Sequence, residues 1–414
     1  MMISVRENCE RSKASVPYLS SLTTADKNEM LRIAADALMR SGNEILAANA
    51  EDLAANAGMQ QFLLDRLKLN RDRIAGMSEG LVKLIELPDP VGEVMEEWHN
   101  HAGLLLKKVR VPFGVVGIIY EARPNVTADA IGLCLKTSNA VVLRGSKSSY
   151  KSNLAIVKAI SDALNAHSYK SEFIQLVEDL SHESSSELMT ARGLIDVLIP
   201  RGSAKLIQTV VTRSTVPVIE TGSGNCHAYI HASADPVIAE KIILNGKLRR
   251  PSVCNALESI VVDEAAANTV LPVVIKALSK SGVIIKGCEK TVKAFPKVEK
   301  ATEEDYYNEY LDTVISCKIV NNYTEAIEHI NKYGSHHSDV IISNDEEAVK
   351  AFMHGIDSAA VYHNASTSFT DGFEFGFGAE MGISTQKLHA RGPMGLRELT
   401  SYKYCIYGNG QTRK

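Results

Sequence analysis

Cys254 is the residue in this sequence best suited to nucleophilic chemistry. It closes the run Leu248-Arg249-Arg250-Pro251-Ser252-Val253-Cys254. Arginine cations beside a thiol favour the thiolate, and Pro251 suits the first turn of a helix, whose N-terminus would favour it further. A helical run from about 254 is therefore expected. A cysteine is also a small hydrophobe, so the case for chemistry depends on the company Cys254 keeps. Glu220 stands 34 residues earlier, at the end of an expected strand, Val216-Pro217-Val218-Ile219-Glu220, that runs into the bend Thr221-Gly222-Ser223-Gly224-Asn225. An acid at the carboxyl end of a strand in a doubly wound sheet lies on the ligand edge. Upstream, Gly202-Ser203 opens an expected helix from Ala204, and free N–H groups with a hydroxyl at such a start suit a pyrophosphate. The Gly-x-Gly-x-x-Gly fingerprint of the common dinucleotide fold is absent.

The elements that must carry these residues follow from the hydrophobic pattern. From about 23 to 87 apolar residues recur at helical spacing, as in Leu31, Ala34, Ala35, Leu38 and Met39. Thr24 or Asp26 is the expected cap of the first of these helices. A partly polar strand is expected over 104–112, and Gly114-Val115-Val116-Gly117-Ile118-Ile119-Tyr120 reads as a buried parallel strand. A helix through Leu135, a strand at Ala140-Val141-Val142-Leu143, a helix over about 152–166 and a strand at 195–200 continue the alternation. Strand and helix in turn imply a parallel, doubly wound sheet with its ligand at the strand carboxyl ends.

Composition narrows the class. The 414 residues are long enough for two or three domains, and 45% hydrophobic with 23% charged residues is ordinary for a globular protein. A net charge of −4 gives no electrostatic reason to expect nucleic acid or an anionic membrane as partner. No apolar run nears the roughly 18 residues that span a bilayer, and the start, Met1-Met2-Ile3-Ser4-Val5-Arg6-Glu7-Asn8, lacks the apolar stretch of a secretory signal. Seven scattered cysteines without a Cys-x-x-Cys pair speak for a reducing cytoplasm. Cys226, His227 and His231 have metal-binding side chains, but without a partner cluster they read as strand residues, and no metal is expected.

In order and interval, Gly202-Ser203, Glu220 and Cys254 resemble the aldehyde dehydrogenase superfamily. Pro124-Asn125 is similar to its turn whose amide helps hold an oxyanion. Val142-Leu143-Arg144-Gly145-Ser146-Lys147 is similar to its strand that reaches the adenosine ribose, and Gly202-Ser203 to its pyrophosphate contact. Within the superfamily the chain resembles the γ-glutamyl phosphate reductase family. The carriers are Tyr120-Glu121-Ala122-Arg123-Pro124-Asn125-Val126-Thr127, Arg250-Pro251-Ser252-Val253-Cys254-Asn255-Ala256-Leu257-Glu258, the segment 320–341 and His389-Ala390-Arg391-Gly392-Pro393-Met394-Gly395-Leu396. This resemblance covers essentially the whole chain. It implies an α/β aldehyde dehydrogenase-like fold with three parts. A Rossmann-type cofactor domain spans 1–225 and is interrupted by oligomerisation strands at 100–113. An α/β catalytic domain spans 226–399, and a C-terminal oligomerisation strand spans 400–414, the two strand segments making a β flap.

The implied activity is NADPH-dependent reduction of L-γ-glutamyl 5-phosphate to L-glutamate 5-semialdehyde and phosphate through a Cys254 thioester, the second step of proline synthesis. Cys254 is the expected nucleophile and Asn125 an oxyanion donor. Glu220 acts in proton transfer or only structurally, because water activation would waste the acyl-enzyme. For the cofactor the expected contacts are Arg144, Ser146, Lys147, Gly202, Ser203 and Glu309, with Glu303 or Glu304 as alternatives to the last. No acid lies at the 144–149 strand end, which suits a 2′-phosphate and so NADPH over NADH. For substrate carboxylate and phosphate the expected contacts are Arg123, Arg249, Arg250, His337 and Arg391, because guanidinium forks fit both groups. The resemblance also implies a cytoplasmic homodimer or higher homo-oligomer and a functional association with glutamate 5-kinase. Competing readings are another acylating or hydrolytic aldehyde dehydrogenase, a thiol hydrolase pairing Cys254 with His227, and an inactive oligomeric scaffold.

Overall fold

A computed structural model describes residues 3–413. The chain divides into two compact units. The first runs to Glu220 and takes in Phe377–Gly382 and the segment from Met394, and the second is Thr221–Gly376 with Ile383–Pro393. The expected boundaries were 225 and 399.

In the first unit a helical layer, Val5–Ser21, Thr24–Arg40, Gly42–Ala55 and Arg71–Glu86 among others, precedes the sheet. Thr23, rather than Thr24 or Asp26, caps Thr24–Arg40: its hydroxyl accepts from Asp26 N–H while the Asp26 carboxylate accepts from Thr23 N–H at 2.9 Å. The reciprocal pair satisfies two otherwise orphaned donors. This helix buries Met30, Leu31, Ala34, Ala35 and Leu38. Met39 is 53% exposed, one residue round from the apolar stripe and so off it.

Among the described residues four parallel strands follow, in the order Ile174–Leu176, Ala140–Arg144, Val115–Tyr120, Val197–Arg201. Val115–Tyr120 is buried along its whole length, as its β-branched run required. Ile119 pairs with Arg144, and Tyr120 with Arg201. The loops starting at Glu121, Gly145 and Gly202 therefore leave the sheet at one carboxyl edge. The strand expected at 216–220 is reduced to a single bridge between Leu198 and Val218. Leu198 N–H donates to Pro217 O at 2.8 Å and Ile219 N–H to Leu198 O at 2.9 Å, but Pro217 has no N–H with which to extend a ladder.

The first unit also carries a three-stranded antiparallel sheet, Val94–His99, Leu105–Pro112 and Thr400–Tyr407, with Leu105–Pro112 in the middle. Val94–His99 is an addition to the strands expected there. Thr400–Tyr407 forms one edge and exposes Tyr402, Tyr404, Ile406 and Tyr407.

Among the described residues of the second unit, seven strands pair in the order Glu299–Lys300, Ile284–Gly287, Val314–Val320, Leu257–Asp263, Cys226–Ile230, Ser338–Ile342, Ala360–His363. Every pairing is parallel. An aliphatic core fills one face, with Ile230, Ile243, Leu257, Ile260, Val274, Leu278 and Ile315 fully or almost fully buried.

The helix expected from Cys254 is absent. Helix Pro236–Leu248 ends first, 250–256 is a turn, and Leu257–Asp263 is a strand buried throughout. Ser259, Ile260, Val261 and Val262 lie in one buried run, which suits a strand in a covered parallel sheet. In this stretch the proline of a helix first turn is Pro236, at the start of the helix that ends before Cys254, behind an Asp235 cap whose carboxylate accepts from Val237 N–H at 2.8 Å. Pro251 sits just past a helix end, where it stops the helix. Cys254 therefore gets no help from a helix N-terminus.

Candidate active site

In the second unit the turn bearing Cys254 lies at the amino ends of the parallel strands, since Cys226 pairs with Leu257 and His227 with Asp339. Cys254 is partly exposed. Gly224 runs against its main chain so closely that a Cβ at 224 would lie 1.4 Å from the Cys254 carbonyl oxygen. The glycine of the Ser223-Gly224-Asn225 bend is thus required by close approach. Gly224 N–H donates to Glu309 Oε1 at 2.7 Å, which places the Glu309 carboxylate beside the backbone that packs on Cys254. The Cys226 thiol donates to the Cys254 carbonyl at 3.2 Å. Asn255 is tied by its amide to Thr370 O at 3.0 Å and by its carbonyl to Thr367 Oγ1 at 2.8 Å.

Below the turn Lys247 and Glu258, both fully buried, meet at 2.5 Å. Leu311 N–H donates to Glu258 Oε1 at 3.1 Å. Burial pushes the Glu258 carboxyl up to about 7 against the pull of the Lys247 ammonium, and the Glu309 charge adds to the rise. The pair joins the helix before the turn to the strand after it. Removing one partner of such a pair strands a buried charge.

The residues expected to grip substrate in this unit differ in their surroundings. Arg249 and Arg250 are exposed, and among the described residues no acid forms an ion pair with either. Arg391 donates to Asp357 Oδ1 at 2.8 Å and to Asp357 O at 2.9 Å. Lys387 joins the same carboxylate, and the hydrogen bonds from Lys387 and Arg391 hold Asp357 down at about 2. Arg391 already has an anion. His337 is fully buried, with Nδ1 2.8 Å from Ser338 Oγ and 3.7 Å from Cys226 Sγ. Burial depresses it to about 4, so it is neutral and has no exposed atom for a substrate. His337, expected as a substrate contact, lies inside the unit.

In the first unit the Gly202-Ser203 seat holds an anion of the protein itself. The Glu121 carboxylate accepts from Ser203 N–H at 2.7 Å and from Ser203 Oγ at 3.0 Å. A Cβ at Gly202 would lie 2.5 Å from Glu121 Oε2. Ser203 caps helix Ala204–Arg213, and the positive end of that helix dipole favours the carboxylate. A seat that accepts one anion through main-chain and hydroxyl donors fits the pyrophosphate of a dinucleotide. Ser146 stands at the same sheet edge, its hydroxyl accepting from Ala122 N–H at 3.3 Å and lying 2.7 Å from Ser148 Oγ. Lys147 is exposed beside it.

Arg144 is engaged inwardly. It donates to Gly145 O at 3.0 Å, Leu180 O at 3.0 Å and Ser181 O at 2.8 Å, and burial lowers its pKa against the pull of Asp179. Arg144, expected as a cofactor contact, braces the 180–181 loop in this structure. Asn125 is exposed at the start of helix Asn125–Lys136, and its amide donates to Asp129 Oδ2 at 3.1 Å. Burial pushes Asp129 up to about 6, opposed by the Asn125 bond and the Arg201 charge. Arg123 and Glu220 are half-buried. The parts that Glu121, Asp129 and the Lys247–Glu258 pair take here go unseen in the sequence, where Cys226 reads only as a strand residue. Only the acid at 258, lodged in an apolar run, signalled a hidden partner.

The aldehyde dehydrogenase family profile matches residues 3–312. A γ-glutamyl phosphate reductase of Heliobacterium modesticaldum is 54% identical over 406 residues, covering 98% of this chain and 97% of that protein. The crystal structure of γ-glutamyl phosphate reductase from Thermotoga maritima superposes with a TM-score of 0.97 at 44% identity, with both chains covered completely. An engineered glycolyl-CoA reductase with bound NADP+ shares the fold, at a TM-score of 0.70, 15% identity and coverage of 98% and 97%.

Proposed function

The chain belongs to the aldehyde dehydrogenase family, and from that membership we propose that it reduces L-γ-glutamyl 5-phosphate to L-glutamate 5-semialdehyde and phosphate with NADPH. The observation that carries this reading is the full-length likeness to γ-glutamyl phosphate reductases. An acyl phosphate is a poor direct hydride acceptor, because phosphate has to leave first; a thiolate splits the reaction into two easier steps. The Cys254 sulfur attacks the γ-carbonyl carbon, a C–S bond forms, and the C–O bond to phosphate breaks with its electron pair leaving on phosphate. When bound, NADPH supplies the hydride that reduces the thioester. The C–S bond then breaks, and the sulfur regains its electron pair as the aldehyde carbonyl forms.

Asn125 and the main-chain N–H of Cys254 donate to the oxyanions of this sequence, contacts worth roughly 3–4 kcal/mol each. Asp129 orients the Asn125 amide. When the cofactor binds, the Gly202-Ser203 seat, Ser146 and Lys147 would hold its pyrophosphate and adenosine end, Lys147 would meet a 2′-phosphate, and Glu309 would hold the nicotinamide ribose. Arg249, Arg250 and Arg123 take the substrate anions. Glu220 serves in proton transfer. We place the enzyme in the cytoplasm as a homodimer or larger homo-oligomer joined through Thr400–Tyr407, whose exposed apolar residues on an open edge call for a covering partner. A hydrolysis-prone substrate is best delivered by its producer, which favours association with glutamate 5-kinase.

The deciding assay is NADP+ reduction with glutamate 5-semialdehyde. Turnover should require inorganic phosphate and fall sharply when NAD+ replaces NADP+. Turnover without phosphate, or with CoA in its place, would refute the acyl-phosphate reading in favour of another acylating or hydrolytic enzyme of this fold.

A further inference from the structure

Cys226 has no part in the chemistry above, yet it is fully buried directly against the nucleophile's turn. Its thiol donates to the Cys254 carbonyl at 3.2 Å, and its sulfur lies 3.7 Å from His337 Nδ1. From that ring the contacts run on to Ser338 Oγ at 2.8 Å, to Thr370 Oγ1 at 2.6 Å and to Tyr362 OH at 2.8 Å. The Thr370 carbonyl then accepts from the Asn255 amide at 3.0 Å. The circuit therefore begins on the carbonyl of Cys254 and returns to the side chain of the next residue. The Cys254 carbonyl and the Asn255 side chain are held by one buried chain, anchored in strands Cys226–Ile230 and Ser338–Ile342 and in the 367–370 segment. Gly224 leaves the carbonyl the space it occupies.

Each member of the circuit is neutral at physiological pH. Burial raises the Cys226 thiol well above its ordinary value, so it stays a donor, and it depresses His337 to about 4. A neutral clamp fixes geometry without placing a charge beside the reacting sulfur. Buried hydrogen-bond chains of this kind rigidify the groups they join, and a carbonyl held in place fixes the ψ of its own residue, hence the direction of that residue's Cβ.

We propose that Cys226 is a positioning residue for Cys254: its thiol holds the Cys254 carbonyl and thereby aims the nucleophile at the acyl carbon. The proposal rests on the reading of Cys254 as the nucleophile. It assigns Cys226 no bond to substrate and no electron transfer.

The test compares Cys226→Ala and Cys226→Ser in the full-length protein, with Cys254→Ala as control. Cys226→Ala should lower kcat roughly ten- to a hundredfold, the scale of an ångström of misplacement, with KM for the semialdehyde and the dissociation constant for NADPH unchanged. In hydrogen-exchange mass spectrometry, peptides spanning 248–256 should exchange on the order of tenfold faster, while 257–263 stays protected. Cys226→Ser, which keeps a donor, should recover most of both losses. If Cys226→Ala does not fold, Cys226→Val supplies the donor-free comparison. Wild-type kcat and exchange in the donor-free variant would overturn the proposal, and so would a serine variant as impaired as alanine. Turnover by Cys254→Ala would refute the nucleophile reading instead, and the exchange measurement would still decide whether Cys226 holds the turn.

Discussion

At the carboxyl edge of the first unit's sheet, Gly202 and Ser203 hold the Glu121 carboxylate; at the amino edge of the second unit's sheet, Gly224 makes room for the Cys254 carbonyl. Both places depend on a missing Cβ, but what fills the gap differs. Beside Gly202 it is the tip of a flexible, partly exposed side chain, which can swing away and be replaced by a ligand anion. Beside Gly224 it is main chain, tied by Cys226, Asn255 and the Lys247–Glu258 pair. A cofactor that must arrive and leave each cycle needs an exchangeable seat. A nucleophile that stays needs a turn built in advance.

The largest effect that tests this contrast comes from placing alanine at each glycine. At 224 the added methyl would lie 1.4, 2.3 and 2.7 Å from three main-chain atoms of Cys254. Gly224→Ala should cost about 3 kcal/mol in denaturant unfolding and remove most activity. At 202 the nearest atoms, at 2.5 to 2.9 Å, all belong to the side chains of Glu121 and Leu206, so Gly202→Ala should cost under about 1 kcal/mol. Equal losses at the two positions would erase the distinction.

The prebuilt character of the second site also shows in its pH response. His337 is fully buried and depressed from 6.5 to about 4 by that burial, with Asp339 pulling the other way. Because the folded state resists its protonation, its contribution is complete above pH 6.5. It is lost as pH falls from there towards 4, to a total of about 3 kcal/mol. Unfolding free energies measured between pH 7 and 4 should fall less steeply in His337→Asn than in the wild type, and parallel curves would contradict the neutral circuit.

The smallest effect is expected at the exchangeable seat. Glu121→Gln removes a charge that competes with the cofactor pyrophosphate at a helix N-terminus, an interaction worth about 0.3–1 kcal/mol. NADPH fluorescence titration should show binding tightened by up to about fivefold. Weaker binding would mean that Glu121 assists the cofactor instead of standing in its place.

Much of the fold was legible because it is written in local periodicity. The buried strand at Val115–Tyr120 and the helix opening after Ser203 follow from runs a few residues long, whereas the pairing of Leu105–Pro112 with the C-terminal strand was implied only by the family resemblance. Where a local signal served two structures, tertiary context chose between them. Pro251 can begin a helix or end one, and the apolar run after Cys254 became a strand because it fits between Cys226–Ile230 and Val314–Val320.

By itself the sequence determined the alternation of strands and helices and the kinship of the whole chain, and it singled out Cys254 as the candidate nucleophile. Tertiary structure alone decided what each polar side chain would spend itself on. Arg144 reads as a cofactor contact and Arg391 as a cation for substrate, and in the structure they are bound to carbonyls and to Asp357. His337 reads as a substrate contact and lies under the turn, and Glu121 reads as a loop residue and fills the anion seat. The physical reason is that these partners stand far apart along the chain, 82 residues for Glu121 with Ser203 and 111 for Cys226 with His337. Parallel strands bring such residues together through crossovers that leave no trace in the local pattern.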